Sequence, residues 1–223
     1  MSTPLLPQAF WFRLAVPCTR VDDLPRAKGT RLLGLPPSCQ LPEMSRLDGK
    51  EPWAEVRVAW NPGGLAVEVS AEGDLAALDS LRYPEGVHGV NVWVDTRDTR
   101  DVSRATRFCH RFEAKLQSGK GKGGLAVDVA QRPIARAVAA APLCRPDALP
   151  ARAERLKTGW RLELFLPAAV LHGFDPDTNR RLGFVYQVSD PEREDQFLAV
   201  GREFPIGENP SLWATLELCE PIQ

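Results

Sequence analysis

One stretch of the chain concentrates the side chains best suited to recognising a ligand. The residues from Asp95 to Glu113 carry nine charges, five on arginines and four on carboxylates, directly after the alternating pattern "GVNVWVD". In that pattern Asn91, Trp93 and Asp95 share the face opposite the valines. An aromatic ring bordered by planar polar groups is typical of saccharide recognition, because the ring stacks and the polar groups bind hydroxyls. We predict ligand-binding roles for Trp93, Asn91, Asp95, Arg97, Arg104, Arg107 and Trp53.

The same residues also have a purely structural interpretation. Trp93 would then be covered by the N-terminal part of the chain. The alternating charges would neutralise one another along a turn, where exposed ion pairs contribute only about 0–1 kcal/mol each. The exposure of Trp93 separates the two interpretations.

No set of residues predicts catalysis. The three histidines, His88, His110 and His172, are not paired at a metal-ligand spacing, and His110 alternates with two phenylalanines. We expect His110 to be a buried or half-buried residue with local hydrogen bonds. The sequence contains neither G-x-S-x-G nor G-x-x-x-x-G-K-[ST]. We therefore predict no catalytic residue and no enzymatic activity.

Two short motifs are better explained by turns. Gly119, Gly121 and Gly124 match G-x-G-x-x-G, but a strand pattern follows them where a dinucleotide site needs a helix. "DPDTN", from Asp175 to Asn179, begins like a calcium loop but lacks the glycine and the acidic residue that an EF-hand requires further on. We expect a hairpin tip and a turn, and no metal ligands.

Composition narrows the possible partners. Lys plus Arg number 28 and Asp plus Glu 29, so the overall field does not favour nucleic acid. The sequence contains no apolar run of membrane-spanning length, and the N-terminus lacks the shape of a signal peptide, which predicts a cytoplasmic protein without a membrane partner. The five scattered cysteines contain no C-x-x-C, and we expect reduced thiols.

Period-2 alternation dominates the elements that would position these residues. Two segments predict hairpins, "AEVRVAW-NPGG-LAVEVSAEG" and "ARAERL-KTG-WRLELFLP". The whole sequence predicts about ten short strands. The predicted fold is all-β: an antiparallel, jelly-roll-like β-sandwich over residues 53–223, with an irregular N-terminal arm over 1–52 and one short helix at "PAAVLHGF". A strand in "AFWFRLAVP" would end at Pro17. Trp60, Trp160 and Trp213 are predicted core or end-covering residues.

The order of four segments resembles carbohydrate-binding module family 9 and the related DOMON-like domains. They are "WAEVRVAWNPGGLAVEVSAEG", "GVNVWVDTRD", "GWRLELFLPAAVLHGFDPDTNRRLGFVYQVSD" and "PSLWATLEL". The longer pattern is similar to uncharacterised proteins of planctomycete type. The resemblance implies a jelly-roll-like sandwich that binds glycans without catalysis, with structural calcium in some members and haem in others. His88 stands where the family usually has Asp. No motif supports calcium, and Met44 and the scattered histidines do not suit haem, so no cofactor is predicted.

The resulting prediction is a non-catalytic binding module for a carbohydrate or similar polyol, which binds by aromatic stacking and a rim of Arg, Asp and Asn. The alternative is an intracellular protein-interaction or scaffolding sandwich without a sugar ligand. In that case the arginine-rich turn with Arg97, Arg100 and Arg104 would contact a protein partner.

Overall fold

Eleven strands are present in the computed structural model, which describes residues 6–73, 88–119 and 124–221. The segment "DLAALDSLRYPEGV", residues 74–87, for which the sequence predicts a loop, lies outside these residues, as does the glycine at 121. The strands are β1 (Ala15–Arg20), β2 (Ala54–Asn61), β3 (Gly64–Glu72), β4 (Gly89–Asp95), β5 (Cys109–Ser118), β6 (Leu125–Arg132), β7 (Ala151–Arg155), β8 (Gly159–Pro167), β9 (Arg181–Ser189), β10 (Gln196–Phe197) and β11 (Ala214–Cys219). The all-β prediction is confirmed.

Turn chemistry fixes the predicted hairpins. β2 and β3 pair from Ala54↔Ala71 to Asn61↔Gly64, and the amide of Gly63 donates to Asn61 Oδ1 over 2.8 Å. The Asn-Pro-Gly-Gly segment thus closes the turn through its own side chain. β7 and β8 form the second expected hairpin. The expected short helix is a single 3-10 turn, Ala168–Val170.

The sheet is mixed and nearly closed rather than purely antiparallel. Its strand order is β6-β5-β4-β9-β11-β1-β2-β3-β8-β7, and β10 pairs with β9. All ladders are antiparallel except those of β1, which runs parallel to both β11 and β2. β6 and β7, at the two ends of this order, contact each other, so the sheet curves into a nearly closed barrel. The jelly-roll-like sandwich was predicted, but the two parallel ladders were not.

The N-terminal region supplies β1, a strand at the centre of this order. It lies slightly later than "AFWFRLAVP" suggested and continues through Pro17. The amide of Thr215 on β11 donates to the carbonyl of Leu14, so by alternation the nitrogen of Pro17 faces the β2 side. There β2 pairs only from Thr19 onward, so proline removes no ladder hydrogen bond.

The inward faces form one apolar core. The valines of β4 and Phe112 of β5 are fully buried, and Trp60, Trp160 and Trp213 are each at most 2% exposed, as predicted. Trp213 donates its Nε1 hydrogen to the carbonyl of Ile206 over 2.7 Å. The alternate residues of these strands point outward, and many of them are polar.

Two buried carboxylates fasten residues 31–35 onto the outer face of β3 and β8. Glu163 accepts hydrogen bonds from the amides of Leu32, Leu33 and Gly34 over 2.9–3.1 Å. Glu68, its cross-strand neighbour, accepts from the amide of Leu35. The guanidinium of Arg31 lies 2.6 Å from Glu68 and 3.2 Å from Glu163. The N-terminal segment is therefore bound to the sheet by backbone hydrogen bonds and charge.

Candidate functional site

Asp95 closes the turn that follows β4. It is 1% exposed, and its two oxygens accept from the amides of Arg97 over 3.0 Å and Thr99 over 2.7 Å. Burial raises the pKa of Asp95, against the lowering effect of these hydrogen bonds. Both oxygens are directed at backbone amides, so Asp95 holds the turn in place.

The exposed arginines of this turn surround Phe108. The guanidinium carbons of Arg97 and Arg107 lie 4.9 and 5.1 Å from its ring centroid, and the ring stacks on His172. Arg104 donates to the carbonyl of Arg136. The charged turn is thus an edge surface beyond the end of β4.

Trp93 is buried, with 3% of its surface exposed. The guanidinium of Arg111 lies 5.4 Å from its ring centroid, and Gly207, in the loop after β10, is so placed that a Cβ on it would lie 3.7 Å from Cζ2 of the indole. Its Nε1 has no hydrogen-bond partner within the described part of the chain. Among the described residues, Arg111 and the loop at Gly207 lie next to the indole, and almost the whole surface of Trp93 is covered.

Trp53 lies apart from these residues, next to the loop between β9 and β10. Its Nε1 donates to the carbonyl of Glu194 over 3.0 Å, and the guanidinium of Arg193 is 5.4 Å from its ring centroid. Of the seven predicted residues, only Asn91 and Trp93 share one strand surface, with Asp95 at its end and Trp53 elsewhere.

The outer face of β4, β5 and β9 forms a groove of about 420 Å³ beside Trp93. Pairing aligns its polar side chains in two rows across the strands, Glu113–Asn91–Gln187 and Lys115–Gly89–Ser189. Gly89 leaves the middle of the second row without a side chain, and a Cβ there would lie 2.5 Å from the carbonyl oxygen of Ala114. The lining residues are His88, Gly89, Val90, Asn91, Arg111, Glu113, Ala114, Lys115, Gln187, Ser189 and Arg202.

Side-chain hydrogen bonds organise the floor of this groove. Arg111 donates from Nε and Nη2 to Asn91 Oδ1 over 3.2 and 3.0 Å. Gln187 donates to Ser189 Oγ over 3.2 Å and to Asp195 Oδ2 over 2.8 Å. Asp195 also pairs with Arg202 at the rim. Amide, guanidinium and hydroxyl groups thus converge on one concave surface.

Glu113 is ionised in its position on the groove wall. Burial raises its pKa, but hydrogen bonding from Arg132 and the charges of Lys115, Arg132 and Arg111 together lower the pKa below its usual value. The distance from Arg132 Nε to Glu113 Oε2 is 2.9 Å. Its carboxylate can accept hydrogen bonds from Arg111, Lys115 or Arg132, whose side chains all lie within 3.9 Å of it.

Five residues of the groove were not predicted from the sequence: Arg111, Glu113, Lys115, Gln187 and Arg202. The alternation in "RFCHRFEAKL" contains the signal for the first three, because the face opposite Phe112 carries them. No local pattern indicates that Gln187 belongs to the groove, because it lies next to Asn91 only through the long-range pairing of β4 with β9.

His88 lies at one end of the groove, directly before β4. Its side chain is 2% exposed and its Nδ1 is 3.3 Å from Asp190 Oδ2, yet neither ring nitrogen has a hydrogen-bond partner within the described residues. The pKa of Asp190 is lowered overall. Burial raises this pKa, but the interaction with His88, the hydrogen bond from the Glu192 amide and the charge of Arg193 together lower it by more.

His110 has the local hydrogen bonds expected from the sequence. Its Nδ1 lies 3.1 Å from Gln131 Nε2, and its Nε2 lies 3.4 Å from the carbonyl oxygen of His172. Burial lowers the pKa of His110 to about 4, so the ring is neutral at neutral pH. His110 faces the core and is remote from the groove surface of β5.

The calcium-like motif is a turn, as expected. Asp175 Oδ1 accepts from the amides of Asp177 and Thr178, and Asn179 donates to the carbonyl of Thr96. Within residues 6–73, 88–119 and 124–221, no three His, Cys, Asp or Glu side chains converge as metal ligands.

All five cysteines are free thiols, and burial raises the pKa of Cys18 well above its usual value. In the described ranges, no helix is long and apolar enough to cross a membrane.

Comparison with known proteins gives matches to solved structures only; no family model and no curated protein matches the sequence. A carbohydrate-binding module family 9 from Caldicellulosiruptor kristjanssonii in complex with cellotriose is similar over 94% of this chain and 95% of its own, at 12% identity and a TM-score of 0.56. A family 9 module from the same organism in complex with glucose is similar over 76% of this chain and 78% of its own, at 15% identity and a TM-score of 0.51. The chain therefore has a carbohydrate-binding module family 9-like fold, as the order of its motifs predicted.

Proposed function

We propose that this protein is a non-catalytic binding module for a carbohydrate or similar polyol, which lies in the groove on β4, β5 and β9. The observation that carries the proposal is the row Glu113–Asn91–Gln187, with Arg111 beside it. These groups offer acceptors and paired donors along one row, at the spacing of neighbouring strands, about 4.8 Å, so that different hydroxyls of one sugar can each meet a polar group.

The similarity of fold to modules solved with cellotriose and with glucose supports the ligand class. The position of Trp93 changes the proposed role of this residue. It forms the apolar floor beneath Arg111, and stacking on a sugar requires Arg111 to move aside. Because Trp93 is part of the core, removing it affects stability and is a poor test of binding.

Calorimetric titration with glucose and cellotriose tests the proposal. We expect Gln187→Ala and Asn91→Ala each to weaken binding by about tenfold, since each removes hydrogen bonds worth about 1.4 kcal/mol in the complex. Gln117→Ala is the matched control, because Gln117 lies exposed on the same strand as Glu113 but outside the groove. Undiminished affinity in both groove variants would contradict the proposed site, and absence of binding to any soluble saccharide would contradict the function.

A second candidate, a protein-interaction module, is favoured by one exposed apolar surface. Phe10, Trp11 and Phe12 are 39%, 66% and 57% exposed, and Phe10 stacks on Phe204 at 4.9 Å. Arg97 and Arg104 of the charged turn are also exposed, whereas Arg100 donates inward to the carbonyl of Leu14. Comparing the proteins captured by the native chain and by a Trp11→Ser variant tests this function. Identical sets would argue against a role for this surface.

A further inference from the structure

We propose that the groove selects saccharides bearing a carboxylate, such as a hexuronic acid, over their neutral counterparts. This inference rests on the proposed carbohydrate-binding function and adds the charge of the ligand. Of the residues that line the groove, four have basic side chains, His88, Arg111, Lys115 and Arg202, and one, Glu113, has a carboxylate.

The carboxylates near these cations are already engaged. Glu113 has the cations Arg111, Lys115 and Arg132 within 3.9 Å, so it compensates only part of the positive charge. Asp195 pairs with Arg202 and accepts from Gln187, and it is not among the lining residues. Asp190, also outside the lining, lies 3.3 Å from His88 Nδ1 and accepts from the amide of Glu192. An anionic group in the groove therefore meets an excess of positive charge, and guanidinium groups bind both oxygens of a carboxylate at once.

His88 gives independent support, because a buried ring nitrogen without a hydrogen bond is costly unless a ligand completes it. Its side chain is 2% exposed, and neither nitrogen has a hydrogen-bond partner in the described part of the chain. Nδ1 faces Asp190 at 3.3 Å, which leaves Nε2 as the ring nitrogen for a ligand.

Gly89 makes room for the acidic group between these side chains. It stands in the row between Lys115 and Ser189, directly after His88. The missing side chain leaves space over the strand, and the neighbouring carbonyl of Ala114 prevents a Cβ from filling it. We assign this end of the groove to the carboxylate and the Asn91–Gln187 row to the hydroxyls.

The test compares D-glucuronate with D-glucose by calorimetry, since the two differ by a carboxylate in place of a hydroxymethyl group. We expect glucuronate to bind about tenfold more tightly at 50 mM salt, and the difference to shrink at 500 mM salt, where the screening length falls to roughly 4–5 Å. Lys115→Gln and His88→Gln should each reduce the affinity for glucuronate several-fold and that for glucose by a smaller factor. Lys115 is 44% exposed, so its variant should fold even where His88→Gln fails. Lys157→Gln, exposed in the β7–β8 turn, is the matched control.

The contrary outcomes are distinct. Equal affinity for the two sugars overturns the selectivity and leaves the proposed function standing. Binding of neither sugar overturns both. Tighter binding of glucuronate that is insensitive to Lys115→Gln overturns the assignment of the carboxylate to this end of the groove. Displacement of glucuronate by equimolar acetate reveals a simple anion site and overturns saccharide selectivity.

Discussion

Replacing Glu163 by Gln should detach the segment 31–35 from the sheet. One oxygen of the Glu163 carboxylate accepts from Leu33, Gly34 and Arg31, and the other accepts from Leu32. Although burial raises the pKa of Glu163, the amides of residues 32–34 and the charge of Arg31 lower it below its usual value. The carboxylate is therefore ionised, and its charge strengthens every hydrogen bond that it accepts.

The expected loss of stability is about 4–6 kcal/mol. Gln presents an amide donor to Leu32, which leaves that backbone N–H unpaired at a cost of about 1–3 kcal/mol. The three other hydrogen bonds change from a charged to a neutral acceptor, which weakens each by about 1 kcal/mol. A domain is stabilised by about 5–15 kcal/mol, so the loss is a large part of the total.

Urea unfolding followed by tryptophan fluorescence measures this loss as a shift in midpoint of roughly 1.5 M. Glu154→Gln is the matched control, because Glu154 pairs with Arg161 while 44% of its side chain is exposed, and its loss should stay below about 1 kcal/mol. Hydrogen exchange at the Leu33 and Gly34 amides should accelerate only in Glu163→Gln. The reasoning is refuted if the two variants differ by less than about 1 kcal/mol, or if both amides stay protected.

Three further predictions concern other buried groups. Burial lowers the pKa of His110 to about 4 from an ordinary 6.5, so on acidification the unfolded chain takes up a proton at this residue before the native chain does. The free energy of unfolding of the native chain should therefore fall by about 2.5 kcal/mol between pH 7 and 4.5, and that of His110→Gln should lack this decrease. Urea unfolding at both pH values measures the difference. Asp95→Ala leaves the amides of Arg97 and Thr99 unpaired and should lower the free energy of unfolding by about 2 kcal/mol in the same assay. The control Asp101→Ala, at an exposed position, should lower it by less than about 0.5 kcal/mol. Trp93→Ala should cost about 3–5 kcal/mol, as a cavity in the core does, and a loss below about 1 kcal/mol would show that the indole is not packed in solution.

Local pattern predicted the elements whose partners are adjacent in sequence. The β2–β3 hairpin follows from alternation and from Asn61 with its glycines, and the inward valines of β4 follow from period 2 alone. The parallel placement of β1 between β11 and β2 could not be predicted, since it depends on contacts about 200 and 40 residues away along the chain. The prediction that β1 ends at Pro17 was wrong, because a proline is tolerated in a strand when its nitrogen faces a side without a ladder hydrogen bond, and the sequence does not show which strand lies on that side.

The candidate site was predictable only in part for a similar reason. Alternation placed Trp93 on the outward face of β4, and outward normally means exposed. The indole is nevertheless buried, with Arg111 from β5 and the loop at Gly207 next to it, and the proximity of neither follows from local sequence. Asn91 was placed correctly on the strand face, but its partners Gln187 and Arg111 come from different strands.

The two outer faces of the sandwich show why similar polar strands acquire different roles. On β3 and β8, the carboxylates of Glu68 and Glu163 accept from backbone amides, so releasing them to a ligand would require a segment of the chain to detach. On β5, Glu113 is held by the side chains of Arg132 and Lys115, which can exchange partners at a cost of about 0–1 kcal/mol each. The first arrangement fixes the fold, and the second leaves acceptors and donors available. This difference, more than the number of charges, is why we place the ligand on β4, β5 and β9.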